Sequence, residues 1–290
     1  MTTVTGTSPP RDPGLASRRW PAVGALAAQV AQALGNFVVQ VLAARELGAT
    51  GIGTYAFLFG ALVMATALSS GLVGDTLTVL DRHDPAVRTA LWRIAWTVLG
   101  TSSLLALVVS LGSGRLSVGA CVLFATAMAT YVLADLARRL LMARLQFWSM
   151  VLTDSVALLV TTGVLVAGAA WGTLRLEHFL AALTVGQLTT VVLATRRLPA
   201  HERERPTPGW GDWRAVLGYG SWRAVQQFLR PTTLNLSRAL VVVAAGTAAV
   251  GVLEAARVLV APAMLLVQGL GSYLFASYAA DRDRATSTLR

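Results

Sequence analysis

Lysine is absent from the chain: all 24 basic residues are arginine. Together with abundant alanine, glycine and valine, this reads as a GC-rich bacterial coding bias and not as a functional choice of guanidinium over ammonium. Cysteine is almost absent too. Cys121 is alone, inside an apolar run, so there is no intrachain disulfide and no thiolate metal site. Charge itself is scarce. Charged residues make up 13% of the chain and apolar residues 55%, whereas a soluble domain carries about 25% charged residues. With mean hydropathy +0.62, the chain has too little polar surface to stay in water. The net charge of +10 does not point to nucleic acid, because the arginines sit between apolar blocks and not in a patch interleaved with aromatics. Nucleic acid is therefore not expected as a partner. The first nineteen residues lack an apolar signal core and read as a cytoplasmic tail. His83, His178 and His201 lie in separate polar stretches, and no nucleophile elbow or phosphate loop is present. No enzyme active site, cofactor or metal is expected.

What the chain does contain is long apolar runs. A hydrocarbon layer about 30 Å thick needs roughly 20 apolar residues of helix. Eight stretches meet that need: 21–44, 52–74, 90–111, 116–137, 149–170, 178–196, 221–245 and 250–275. The predicted fold class is an all-α polytopic membrane protein of about eight transmembrane helices. With the N-terminus inside, seventeen arginines fall in cytoplasmic segments and only Arg45, Arg115 and Arg175 in outer loops. That bias sets an N-in orientation in a bacterial cytoplasmic membrane. The eight tryptophans fall near predicted span ends, where amphipathic rings favour the interface.

The longest connection is charged and rich in Pro and Gly, and it divides the chain into two units. The expected organisation is a cytoplasmic tail (1–19), a six-helix lobe (20–197), a linker (198–213), the first two helices of a second lobe (214–277) and a second tail (278–290). Trp210, Trp213 and Trp222 suggest a short interfacial helix leading into span seven. A shift of 198 residues lays span seven on span one, so that Gly48 meets Gly246 and Gly53 meets Gly251. Both spans start on the same side, as a parallel repeat requires.

Polar residues inside the spans supply the candidate site. Gln29, Gln32, Asn36 and Gln40 of span one form a stripe about 80° wide. The shift carries Gln29 to Gln227, Gln32 to Arg230 and Gln40 to Arg238, with Asn235 one residue from the image of Asn36. These eight residues are the expected cavity lining. Mid-membrane arginine costs about 2.5–3.5 kcal/mol on insertion scales. Arg223, Arg230 and Arg238 share one sector of span seven, and Pro231 removes a backbone hydrogen bond beside Arg230. Two readings are open: a cationic cavity wall that binds phosphate or pyrophosphate, or arginines that pair across helices with Asp154, Asp135 or Asp75. Arg223 has the further option of snorkelling to the interface. Asp154 is expected to pair with Arg230 or to carry a coupling proton. Asp75, Asp135, Arg138 and Arg139 read as solvated anchors at inner helix ends, and Glu254 with Arg257 as a local i,i+3 pair.

The segment from Leu42 to Ala56 contains Ala44-Arg45-Glu46-Leu47-Gly48, Ile52-Gly53 and Tyr55. It resembles the signature at the first outer loop of Wzx-type polysaccharide flippases, a branch of the multidrug/oligosaccharidyl-lipid/polysaccharide exporter superfamily. Leu217-Gly218-Tyr219-Gly220 and the stretch from Ala248 to Ala256 are similar to that family's start of a second lobe. The resemblance implies two six-helix lobes around a cavity, with alternating access that moves a polyprenyl-pyrophosphate-linked oligosaccharide outward. Its motif residues here are Arg45, Gly48, Gly53 and Tyr55. It implies membrane lipid and a lipid-linked oligosaccharide as partners, with glycan-assembly proteins besides. Members have twelve to fourteen spans, so the chain is expected to be truncated after span eight. A cation-coupled multidrug exporter and a non-transporting scaffold of a glycan-assembly complex are the alternatives.

Overall fold

A computed structural model describes residues 15–199, 209 and 211–288, with side-chain surroundings given from Val23 to Arg257, apart from 200–208, 210 and 230, and for Val260. The described residues fold into helices: α1 (Leu15–Glu46), α2 (Gly48–Ser69), a π-helical turn (Ser70–Gly74), α3 (Asp75–Val79), α4 (Pro85–Gly112), α5 (Val118–Ala143), α6 (Phe147–Ala170), α7 (Leu176–Arg197) and α8 (Trp213–Thr288). Among the described residues, seven helices are long and apolar enough to cross a membrane. The seventh of these is interrupted. Gly246 has φ 82° and ψ 173°, which splits α8 into one helix before it and another after it. The second helix covers the expected eighth span, 250–275; most of its side chains lie outside the described residues.

Local chemistry explains the helix ends. Asp84 caps α4 by accepting a hydrogen bond from the Ala86 amide (2.7 Å), with Pro85 preset at the first helical position. Ser117 caps α5 through the Ala120 amide (3.1 Å). Arg45 occupies the last turn of α1, where its charge complements the helix dipole. Between α1 and α2 only Leu47 intervenes, and Gly48 turns the chain with φ 65°, a left-handed conformation that a side chain would oppose. Gly246 also has a positive φ, 82°, at the corresponding point 198 residues later.

The expected short interfacial helix leading into span seven is continuous with it: residues from Trp213 onward run without a break into that span, while Trp210 lies outside the described residues. Gly218 and Gly220 do not interrupt it, because Gly220 lies against the Leu72 carbonyl of the π turn, where close packing favours a residue without a side chain. The π turn is also absent from the sequence reading. It lets Gly71 touch the Ala224 backbone while setting Ser70 and Asp75 towards neighbouring helices.

The first six spans pack around Tyr55, Phe124, Phe179 and Leu180. The Tyr55 ring stacks on Phe59 and meets Phe179 edge-on, both at 5.9 Å. α8 lies along α2. At the far end of this seam a Cβ on Gly53 would strike the Thr247 carbonyl, and one on Gly251 would strike the Ala49 carbonyl. The contact is reciprocal under the 198-residue shift, since Ala49 maps to Thr247 and Gly53 to Gly251.

Gly53→Ala and Gly251→Ala should each lower the melting temperature in detergent by several degrees, the equivalent of about 1–3 kcal/mol for overpacking. Gly100→Ala, at a helical glycine with nothing within 4 Å, should leave it unchanged or raise it. Equal behaviour of all three variants would mean that the seam is not packed as described.

Candidate functional site

Five helices converge on a polar cavity of about 100 Å³ that is partly open to the outside. α1 contributes Gln32 and Asn36, one turn apart. α5 contributes Tyr131, Asp135 and Arg138, α6 Asp154 and Thr161, α7 Gln187 and Thr190, and α2 Thr66. Each set recurs at three, four or seven residues, so each lies on one helix face. In an apolar helix those faces must turn inward to find partners.

The charges in the cavity are joined. Arg138 and Asp154 form an ion pair at 3.2 Å, with both side chains about one-tenth exposed (10% and 8%). Arg138 is thus a buried ion-pair member and not the solvated anchor expected, and it is a partner of Asp154. The reason is proximity: α5 and α6 are joined by a short turn, which brings the end of α5 beside the start of α6. Arg230's side chain lies outside the described residues.

A second network crosses from the first six spans to α8. Arg223 donates to Asp75 Oδ2 through both Nε (2.9 Å) and Nη2 (2.7 Å). Gln227 Nε2 donates to the same oxygen at 3.2 Å. Arg139 approaches Asp75 Oδ1 at 3.5 Å and donates to Ser70 Oγ at 2.8 Å, while Ser70 donates to Asp135 at 2.7 Å. Asp75, Asp135 and Arg139, expected as solvated anchors, are instead partly buried members of this network, and Arg223 is paired where snorkelling was the option.

The third network lies farther along the seam. Arg238 forms a bidentate pair with Glu254 (2.8 and 3.0 Å) and donates to Asn235 Oδ1 at 2.8 Å. Asn235 Nδ2 donates to the Gly60 carbonyl at 3.0 Å. The expected Glu254–Arg257 contact is present at 3.0 Å, but Glu254 also holds Arg238, across the Gly246 break.

The eight expected lining residues therefore do not share one site. Gln32 and Asn36 enter the cavity. Gln29 is exposed and Gln40 half-buried, both outside it. Gln227, Asn235 and Arg238 face the α2 seam or the second part of α8. Sequence reasoning missed Gln187 and Thr190 as cavity residues; the signal for Gln187 was a lone amide in an apolar span. Of the motif residues, Gly48 makes the turn, Gly53 the close contact and Tyr55 a core ring, while Arg45 is exposed. Among the described residues no group of three His, Cys, Asp or Glu side chains is placed to hold a metal ion.

Comparison with known proteins now adds to this geometry. The family profile described as polysaccharide biosynthesis protein matches residues 24–275. The chain belongs to that family. Its fold is similar to a solved multidrug resistance MATE family transporter of the MOP superfamily, in an inward-facing conformation, with TM-score 0.61 and 15% identity. The match covers 86% of this chain and 63% of the transporter, so the chain spans less than two thirds of that protein's length. No curated protein matches it. This member of the polysaccharide biosynthesis family is thus a multi-pass helical membrane protein with part of the fold of that transporter.

Arg138→Gln or Asp154→Asn alone should destabilise the chain by about 3–5 kcal/mol, because each leaves a buried charge unpaired. The double variant should recover much of the loss. A double-mutant cycle on thermal unfolding in detergent measures this, and strictly additive losses would contradict the pairing.

Proposed function

We propose that this chain serves translocation of a polyprenyl-pyrophosphate-linked oligosaccharide across a bacterial cytoplasmic membrane, during surface polysaccharide biosynthesis. The observation that carries the proposal is the polar cavity buried in a membrane bundle whose sequence belongs to a polysaccharide biosynthesis family. Amide, hydroxyl and charged side chains offer the hydrogen bonds that sugar hydroxyls and phosphates require, in a place where unfilled polar groups are costly. The N-terminus lies in the cytoplasm, as the arginine distribution requires. The end of the bundle that carries Asp75 and Arg223 is then the cytoplasmic one.

The chain supplies a six-span lobe and the start of a second. The 198-residue repeat supports this reading, with its paired positive-φ glycines and its reciprocal contact at Gly53 and Gly251. Alternating access works by rocking one lobe on the other. The Asp75–Arg223 pair and the Gly53–Gly251 contact lie at opposite ends of the seam, so rocking would open one and keep the other. Within the first lobe, Asp154 is the coupling residue: a proton taken from the cytoplasm would neutralise it, release Arg138 into the cavity, and give the pyrophosphate a guanidinium fork.

The test is export in cells deleted for this gene and complemented with variants. Gln32→Leu with Asn36→Leu should slow glycan export about tenfold, two hydrogen-bonding groups of the cavity being lost. The protein should still insert, lipid-linked oligosaccharide should accumulate inside, and drug accumulation should not change. Altered drug efflux with intact surface glycan would instead mean a multidrug exporter, and export indifferent to the cavity would mean a scaffold.

A further inference from the structure

The polar cavity and the α8 seam are joined by an unbroken chain of side-chain contacts through the π turn. Asp135 lines the cavity and accepts a hydrogen bond from Ser70 Oγ at 2.7 Å. Arg139 donates to the same Ser70 Oγ through Nη2 at 2.8 Å, and its Nη1 lies 3.5 Å from Asp75 Oδ1. Asp75 in turn holds Arg223 and Gln227 of α8 through its other oxygen.

One guanidinium reaches both Ser70 and Asp75 because the π turn sets them on one side. Residues five apart in a regular α-helix point about 140° away from each other, and residues four apart about 40°. Here the Asp75 amide bonds the Ser70 carbonyl, an i→i+5 closure that takes up one residue and gives the pair the relation of i,i+4 neighbours. The Arg139 stem crosses this turn, where a Cβ on Gly74 would lie 3.0 Å from its Cγ. The turn also carries a cost. Ser69 Oγ, just before it, is wholly buried and finds no hydrogen-bond partner among the described residues. Little helix follows the turn: α3 is a stretch of five residues that ends at the extended Leu80.

We infer that this turn is a register switch that couples the polar cavity to the cytoplasmic end of the α2–α8 seam. In the register described, Asp75 faces Arg223 and the seam is closed. When the turn winds into regular α-helix, Asp75 and α3 swing by about 100°. Arg139 then no longer spans Ser70 and Asp75, and Arg223 is released. A hydroxyl-bearing ligand that engages Asp135 in the cavity takes away the acceptor of Ser70 and favours that change. Coupling between two sites needs an element with two discrete arrangements, and a π turn within a helix supplies one. The nature of the ligand and the word cytoplasmic rest on the translocation reading; the switch itself does not.

Thiol labelling of the purified full chain in detergent tests the switch. Val216, near the start of α8, is wholly buried in the apolar cluster of Val73, Leu77 and Leu91. Val216→Cys, in a chain that carries Cys121→Ala, should therefore react with a water-soluble maleimide only when this end of the seam opens. Ser70→Ala and Asp135→Ala should each speed labelling about tenfold, the worth of one hydrogen bond to a charged group. Deletion of Leu72 removes the extra residue and sets Ser70 and Asp75 four apart. Labelling should then slow, and adding Ser70→Ala to the deletion should not speed it again. A Ser70 that only packs would speed labelling equally with and without Leu72, which would overturn the inference. So would labelling indifferent to Asp135→Ala. If the deletion does not fold, hydrogen exchange decides: Ser70→Ala should speed exchange of amides 71–79 about tenfold while those of 52–66 hold. Equal acceleration of both segments would again overturn the switch. Labelling and exchange are read without glycan, so a failed export test would count against translocation and leave these outcomes standing.

Discussion

A guanidinium inside hydrocarbon costs several kilocalories per mole unless a carboxylate or water meets it, and this cost organises the bundle. Arg138 finds Asp154, Arg223 finds Asp75, and Arg238 finds Glu254. Each pair needs its two helices in one relative position, so each works as a register pin. Two of the three join elements on either side of a break or a long connection: Arg223 and Asp75 are 148 residues apart, and Arg238 and Glu254 flank Gly246. Apolar side chains alone could not do this, since lipid tails solvate leucine as well as another helix does.

Small residues supply the complementary constraint. Helices in lipid gain by close packing, and closeness is limited by side chains. Gly53, Gly71, Gly220 and Gly251 bring α2 and α8 together backbone to backbone, and the ion pairs then lie within reach. Glycine contact and charge pairing are thus interdependent along one seam. The same seam is where the proposed lobes meet.

Much of the fold was legible in sequence because membrane insertion constrains length and hydropathy more tightly than folding in water does. The spans, the break between the seventh and eighth, and the pairing of Gly48 with Gly246 and Gly53 with Gly251 followed from counting residues. The π turn at Ser70–Gly74 did not, because inserting a residue into a helix leaves composition and periodicity nearly unchanged. The continuity of the start of α8 was also hidden, since Trp213 and Trp222 mark an interface level but not whether the helix runs through it.

The candidate site was legible only in part, and the reason is rotational. A stripe on one helix shows that its residues share a face, but not which neighbour that face meets. Gln32 and Asn36 went to a cavity within the first six spans, while Asn235 and Arg238 of α8 met Gly60 and Glu254 along the α2 seam. Composition and the order of apolar runs determined by themselves that this is a polytopic helical membrane protein, because each span must satisfy the bilayer alone. Only the tertiary structure decided which arginine pairs with which carboxylate, because that depends on how helices distant in sequence rotate and slide against one another until buried charges are met.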